Sequence, residues 1–173
     1  MNTITIRKTT MPDLPIVMDI YAQARTFMIE NDNPEQWGTV HPPQTLIEAD
    51  IHAGKSYVCT LKDNSQEENE KILAVFFFNV EPDPTYEKIE GAWIDSNTPY
   101  GVVHRIARTT DKPEVKGVGE FCLNWCFQQI NNIRIDTHPD NVPMLKLMDK
   151  LNFVRCGIIW IENGNERIAF QKI

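Results

Sequence analysis

Apolar and polar positions along the chain alternate between two periods, and the period sets each expected element. Residues 3–7 alternate and predict a first strand. Pro12 and Asp13 then open a helix: proline suits the first turn, and the acid favours the positive end of the helix dipole. Ile16, Ile20, Ala24, Phe27 and Met28 give that helix an apolar stripe. Residues 31–43 are polar and carry three prolines, which predicts a loop. A short helix is expected over 45–53, ended by Gly54, and a strand over 56–61. The charged stretch 62–70 predicts an exposed hairpin loop, and 71–80 a strongly buried strand. Residues 81–99 are irregular, punctuated by Pro82, Pro84 and Gly91. A strand follows over 101–108, a loop over 111–119 and a helix over 119–130, with Cys122, Trp125, Cys126 and Ile130 at helical spacing. The chain closes with a strand over 133–137, a helix over 141–151 and strands over 153–161 and 167–172, which turn at Asn163–Gly164. Met144, Leu147, Met148 and Leu151 are expected to face inward from the last helix.

This order, βααβββαβαββ, places the chain in the α/β (α+β) class. Its strand–helix–strand units in the second half imply at least one parallel pair. A length of 173 residues fits one domain over 1–173, long enough to bury a core without disulfides or metals.

Composition narrows the partners. The net charge is −7, and an acidic chain lacks the clustered Lys and Arg that neutralise phosphates, so no nucleic-acid partner is expected. No stretch approaches the roughly twenty apolar residues of a membrane span, and the first residues show no apolar signal core. Cys59, Cys122, Cys126 and Cys156 lack the paired spacing of a zinc site; they are expected as small buried hydrophobes, with no metal bound. Reduced thiols suit a cytoplasmic location.

The stretch richest in chemistry runs from residue 102 to residue 120. A strand, Val102–Val103–His104–Arg105–Ile106–Ala107, leads through Glu114–Val115–Lys116–Gly117–Val118–Gly119 into a helix. Backbone N–H groups at a helix start have no partner within the helix and attract anions, and glycines let a phosphate approach closely. Two nucleotide patterns fail. Gly54–Lys55–Ser56 could end a Walker loop, but position 49 is Ala and the segment runs from helix to strand. A dinucleotide fingerprint would need a third glycine where Cys122 stands.

Taken in order, these segments resemble the GNAT acetyltransferase superfamily over nearly the whole chain. That family's phosphate motif is Gln or Arg, two residues, Gly, one residue, then Gly or Ala. Residues 114–119 match it except that Glu114 stands first. His104–Arg105–Ile106–Ala107 resembles the strand that lines the pantetheine arm. Ile133 to His138, then Asn141, then Lys150–Leu151–Asn152–Phe153 resembles the family's strand–Asn–helix ending, with Asn152 in place of the usual Gly. The resemblance implies a central mixed, mostly antiparallel twisted sheet of six or seven strands, with helices on both faces and a splayed central parallel pair. It implies acetyl-CoA as co-substrate, held by Ile106, Ala107 and Arg108 along the pantetheine. Glu114, Val115, Lys116, Gly117, Val118, Gly119 and Glu120 would lie at the pyrophosphate, and Asn141 on the other side of the arm. It further implies direct transfer of an acetyl group to a primary amine in a ternary complex; the alternative is an acyl-CoA-binding domain without catalysis. Family members often dimerise, and an edge strand within 153–172 could serve a homodimer.

A protonated amine must lose a proton before it attacks, so a base is sought. His104, Asp136, His138 and Glu90 are the candidates: His104 for its intrinsic pKa and its strand, Asp136 and His138 for their place at a strand's C-terminal end, and Glu90 for its place before Gly91. Many family members carry Tyr seven residues after the helix Asn to protonate the departing thiolate; here that position is Met148. Trp37, Tyr86 and Trp93, with His41 and Tyr100 beside them in the loops, are the candidate acceptor-pocket aromatics.

Overall fold

A computed structural model describes residues 2–63 and 70–173. The loop expected over 62–70 is shorter at both ends, since 62–63 continue a strand and 70 opens the next, and its remainder, 64–69, lies outside the described residues. In chain order the elements are β1 (Asn2–Lys8), a 3-10 turn (Met11–Asp13), α1 (Leu14–Glu30), α2 (Gln44–His52), β2 (Ser56–Asp63) and β3 (Glu70–Asn79). A second 3-10 turn (Pro84–Tyr86) precedes β4 (Glu90–Gly91) and β5 (Gly101–Arg108). Then come α3 (Val118–Gln129), β6 (Ile133–Thr137), α4 (Val142–Lys150), β7 (Val154–Trp160) and β8 (Glu166–Lys172). The strands hydrogen-bond in the order β1-β2-β3-β5-β6-β8-β7-β4. β5 and β6 run parallel, whereas β1–β2, β2–β3, β6–β8, β7–β8 and β4–β7 are antiparallel. The mixed, mostly antiparallel sheet with a central parallel pair is therefore present. Among the described residues it has eight strands, not six or seven, because the two-residue β4 forms inside the segment expected to be irregular.

Contacts divide the chain into two units, Met1–Phe77 with Arg105–Cys122, and Phe78–His104 with Leu123–Ile173. In the first, α1 packs Leu14, Val17, Ile20 and Tyr21 with Ile47 and Ile51 of α2 and with Val58, Ile72, Val75 and Ala107 of the strands. The stripe expected on α1 is out of phase. Ile16 is 53% exposed and Phe27 43%, and of the expected stripe only Ile20 is fully buried. The buried face starts at Leu14 and recruits Tyr21, whose hydroxyl finds a backbone acceptor and so can be buried. Asp13 fixes the start of α1 to β1. Its carboxylate accepts from the Thr10 N–H at 2.8 Å and from both Arg7 Nη atoms at 2.7 and 3.0 Å.

In the second unit, Tyr86, Val102, Ile159 and Ala169 form a core against which Ile89, Trp93, Tyr100 and Ile161 pack. The 81–99 segment is held by a polar hub. Gln171 is fully buried; its Oε1 accepts from the N–H groups of Ile94 and Asp95 at 2.7 and 3.2 Å. Its Nε2 donates to the Asp95 carbonyl at 3.0 Å and to Asn132 Oδ1 at 2.7 Å. Four bonds satisfy that amide, which is why burial does not penalise it. Arg134 adds a second tie: its guanidinium lies 4.2 Å from the Trp93 ring and 3.8 Å from the Tyr100 ring, and donates to the Asp95 carbonyl at 2.8 Å. β4 reaches β7 because Gly91 faces Gly157. A Cβ on Gly91 would strike the Cys156 carbonyl, and one on Gly157 the Glu90 carbonyl.

α4 is capped at both ends as its sequence suggests. Asn141 Oδ1 accepts from the Met144 N–H at 3.2 Å. Asn152 takes φ +59, and the Phe153 N–H returns to the Met148 carbonyl at 2.9 Å. Asparagine thus does the work of the usual glycine at this stop. Met148 and Leu151 are buried, and Met144 and Leu147 half-buried.

Candidate active site

The second unit gathers three side chains around one imidazole. His104, near the middle of β5, places Nε2 at 2.7 Å from Asp83 Oδ2. Its Nδ1 stands 3.6 Å from Asp136 Oδ1 on β6, and the Tyr86 hydroxyl donates to that same oxygen at 2.7 Å. The Tyr86 ring also packs on the imidazole, with centroids 5.8 Å apart. Side-chain exposure is 22% for His104, 18% for Asp83 and 11% for Asp136, so the group is shielded yet reachable.

Local structure explains how Asp83 arrives there. Pro84 opens a 3-10 turn, and Asp83 caps it by accepting from the Thr85 N–H at 2.8 Å through Oδ1, which also accepts from the Thr85 hydroxyl. That leaves Oδ2 for the histidine. The Asp83 N–H donates to the Tyr100 hydroxyl at 3.1 Å, so backbone and side chain are both held. Burial pushes the Asp83 carboxyl upward, but bonds from His104 and Thr85 outweigh it and bring its pKa down to about 2. An ionised carboxylate only accepts, so His104 Nε2 carries the hydrogen and Nδ1 is the basic nitrogen of the neutral ring. Burial raises the Tyr86 hydroxyl well above its ordinary value, and the charges of Asp136 and Asp83 add to this, so it stays a donor. The arrangement can take up a proton at Nδ1 and stabilise the imidazolium between two carboxylates.

The stretch that follows His104, Arg105–Cys122, belongs to the first unit. The register of β5 with β6 covers Gly101–Val103 against Ile133–Ile135, and β5 continues for five residues beyond it. Within that continuation Arg105 has φ +52, a left-handed conformation that a long side chain rarely takes inside a strand. Past β5, the Arg108 guanidinium donates to the carbonyls of Thr109 and Lys112 at 3.2 and 2.9 Å. Gln23 Oε1 accepts from the Thr110 N–H at 2.7 Å. These bonds shape the loop that ends at Gly117. There φ is +73, and the Gly117 carbonyl accepts from the Phe121 N–H at 2.9 Å, which makes glycine the cap of α3. Lys116 and Gly117 are exposed, and a Cβ on Gly117 would come no closer to another group than 4.0 Å, at Glu120 Oε2. A twelve-residue helix thus presents its N-terminus beside an open glycine and a lysine, an arrangement that attracts anions. Glu114, at the motif's first position, is exposed and stands 3.7 Å from Lys112 Nζ.

No protein-family model and no curated protein sequence matches the chain. Solved structures do. A GNAT-family acetyltransferase from Streptococcus agalactiae superposes with a TM-score of 0.83 over 98% of this chain and 95% of that one, at 24% identity. The chain has the GNAT fold. A ribosomal-protein-alanine N-acetyltransferase from Brucella melitensis is similar at a TM-score of 0.60 and 15% identity, covering 98% of this chain and 99% of that one. A structure of the NatC complex bound to Gag peptide and CoA contains a chain similar at 0.59 and 10% identity, with 98% and 97% covered.

On this GNAT framework the predicted site residues take different places. His104 and Asp136 meet in the cluster. Tyr86 joins it through its hydroxyl, while its ring is buried. Trp93 donates from Nε1 to the Tyr86 carbonyl at 3.1 Å and lies under Arg134. His138 turns to its own loop: its Nδ1 accepts from the Asp140 N–H at 3.2 Å. Glu90 is exposed on β4, and the cluster forms without it. Trp37, in the first unit, packs edge-on against Tyr21 at 5.7 Å. Asp83 is the residue that sequence reasoning missed. Its one signal was an Asp–Pro pair, which opens a turn and leaves one carboxylate oxygen to spare.

Proposed function

We propose that the chain is an acetyl-CoA-dependent N-acetyltransferase that moves an acetyl group directly to a primary amine in a ternary complex. The observation that carries this reading is the His104 imidazole, held by Asp83 and faced by Asp136, on the strand of a GNAT fold that leads to the Gly117 helix start. Acetyl-CoA supplies the activated acyl group as a thioester. The backbone of Ile106, Ala107 and Arg108 would pair with the pantetheine as an added strand would. The first-turn amides over 115–120 and Lys116 would take the pyrophosphate, with Asn141 at the pantetheine arm. His104 Nδ1 accepts the amine proton, directly or through one water, while Asp83 fixes the ring and Asp136 faces the positive charge that results. The neutral amine forms the new C–N bond, the C–S bond breaks, the nitrogen gives its second proton to solvent, and the departing thiolate takes up a proton from solvent or from the imidazolium. Met148 is fully buried in this chain and has no proton to give.

The substrate aromatics proposed are Tyr86 and Trp93 in the second unit and Trp37 in the first. The chain is proposed to work in the cytoplasm, and among the described residues no helix is long and apolar enough to cross a membrane.

Thermal-shift titration with acetyl-CoA, CoA and ATP tests the co-substrate. Acetyl-CoA and CoA are expected to stabilise the protein with saturation, and ATP to do so far less. Gly117→Val places a branched side chain at φ +73, at a strain of about 1–3 kcal/mol, and should abolish most of that shift. Equal protection by ATP, or none by acetyl-CoA, would contradict the proposal. Binding without acetyl transfer to any amine would favour the acyl-CoA-binding alternative.

A further inference from the structure

Arg105 is a left-handed residue in the interior of a strand, and three elements of the first unit converge on it. From α2, Asp50 Oδ2 lies 2.6 Å from Arg105 Nη2, and both side chains are shielded, at 11% and 14% exposure. From α1, the Tyr21 hydroxyl donates to the Arg105 carbonyl at 3.1 Å; Tyr21 is 1% exposed, and burial keeps its hydroxyl protonated. From β3, the Phe77 ring faces the guanidinium at 4.9 Å. Such a backbone conformation persists where its surroundings over-determine it. A single left-handed residue re-aims the strand that follows, as a bulge does.

We propose that Asp50 and Tyr21 are positioning residues that clamp Arg105 in its left-handed conformation and thereby aim the backbone of Ile106–Arg108 for the acyl-carrier arm of acetyl-CoA. The inference rests on the proposed acetyl-CoA site for its purpose, but the clamp itself is measurable without ligand.

Two measurements on the full chain decide it. The first is amide hydrogen exchange without ligand, comparing wild type with Asp50→Ala and Tyr21→Phe. Exchange at Ile106, Ala107 and Arg108 should quicken by about tenfold relative to Val58 and Val75 in the same core. A merely structural role would quicken all of them together, and that uniform result would overturn the clamp. The second is acetyl-CoA titration at a temperature where every variant is folded. If the aimed conformation falls to about a tenth of the population, the apparent Kd rises about tenfold. The double variant Asp50→Ala with Arg105→Gly should recover most of that loss. Glycine takes positive φ without strain, and no unpaired buried carboxylate remains. Unchanged affinity in Asp50→Ala, or no recovery in the double variant, would overturn the proposal. If wild type itself did not bind acetyl-CoA, the proposed function would fall, and the exchange result alone would decide whether Arg105 is clamped.

Discussion

At the scale of single residues, the cluster depends on one unusual carboxyl. Asp83 sits below its ordinary pKa, at about 2, because His104 and Thr85 bond to its ionised form. A depressed carboxyl stabilises the fold above its unfolded value, near 3.8, and that stabilisation is lost as pH falls towards 2. The shift corresponds to about 2 kcal/mol. Urea unfolding of wild type and Asp83→Asn at pH 6 and at pH 2.5 should show a gap that narrows by most of that amount at the lower pH. A gap independent of pH would contradict the pairing. His104 and Asp136 were legible in the sequence because each stands on a strand whose place the pattern fixed. Asp83 was not, because its bond to His104 spans 21 residues from a segment with no period. Nor could any pattern reveal the φ of Arg105, since arginine has no local preference for it.

At the scale of elements, the pattern located strands and helices well and phased one of them wrongly. α1 has apolar residues on two faces, and counting Ile16 and Phe27 while omitting Tyr21 rotated the expected core face. β4 escaped because a two-residue strand has no periodicity; it exists through the Gly91–Gly157 approach. The segment between β3 and β5 looked irregular and is nonetheless held, by bonds from residues far away in sequence. Gln171 is the test of that. Gln171→Leu keeps the volume and strands the N–H groups of Ile94 and Asp95, so it should cost about 3 kcal/mol in denaturant unfolding. Amide exchange at Ile94 should rise with it. A loss below about 1 kcal/mol would mean the segment is held by Arg134 and its aromatic neighbours instead.

At the scale of the molecule, three segments in order, the His104–Ala107 strand, the glycine motif over 114–119 and the strand–Asn–helix ending over 133–153, carried the resemblance to the GNAT superfamily, and the solved structures show that fold. The acceptor was not legible, because the segments that would meet it are those least constrained by the fold. What joins the scales is the proposal that β5 carries a base at His104 and an acyl-carrier edge beyond Arg105. The most direct measurement is acetyl-CoA-dependent thiol release on a panel of primary amines, run with wild type and His104→Ala after both are shown to bind acetyl-CoA. Turnover on at least one amine, reduced by about 100-fold in His104→Ala with acetyl-CoA affinity unchanged, is the expected result. No turnover on any amine, or turnover that His104→Ala leaves intact, would contradict it.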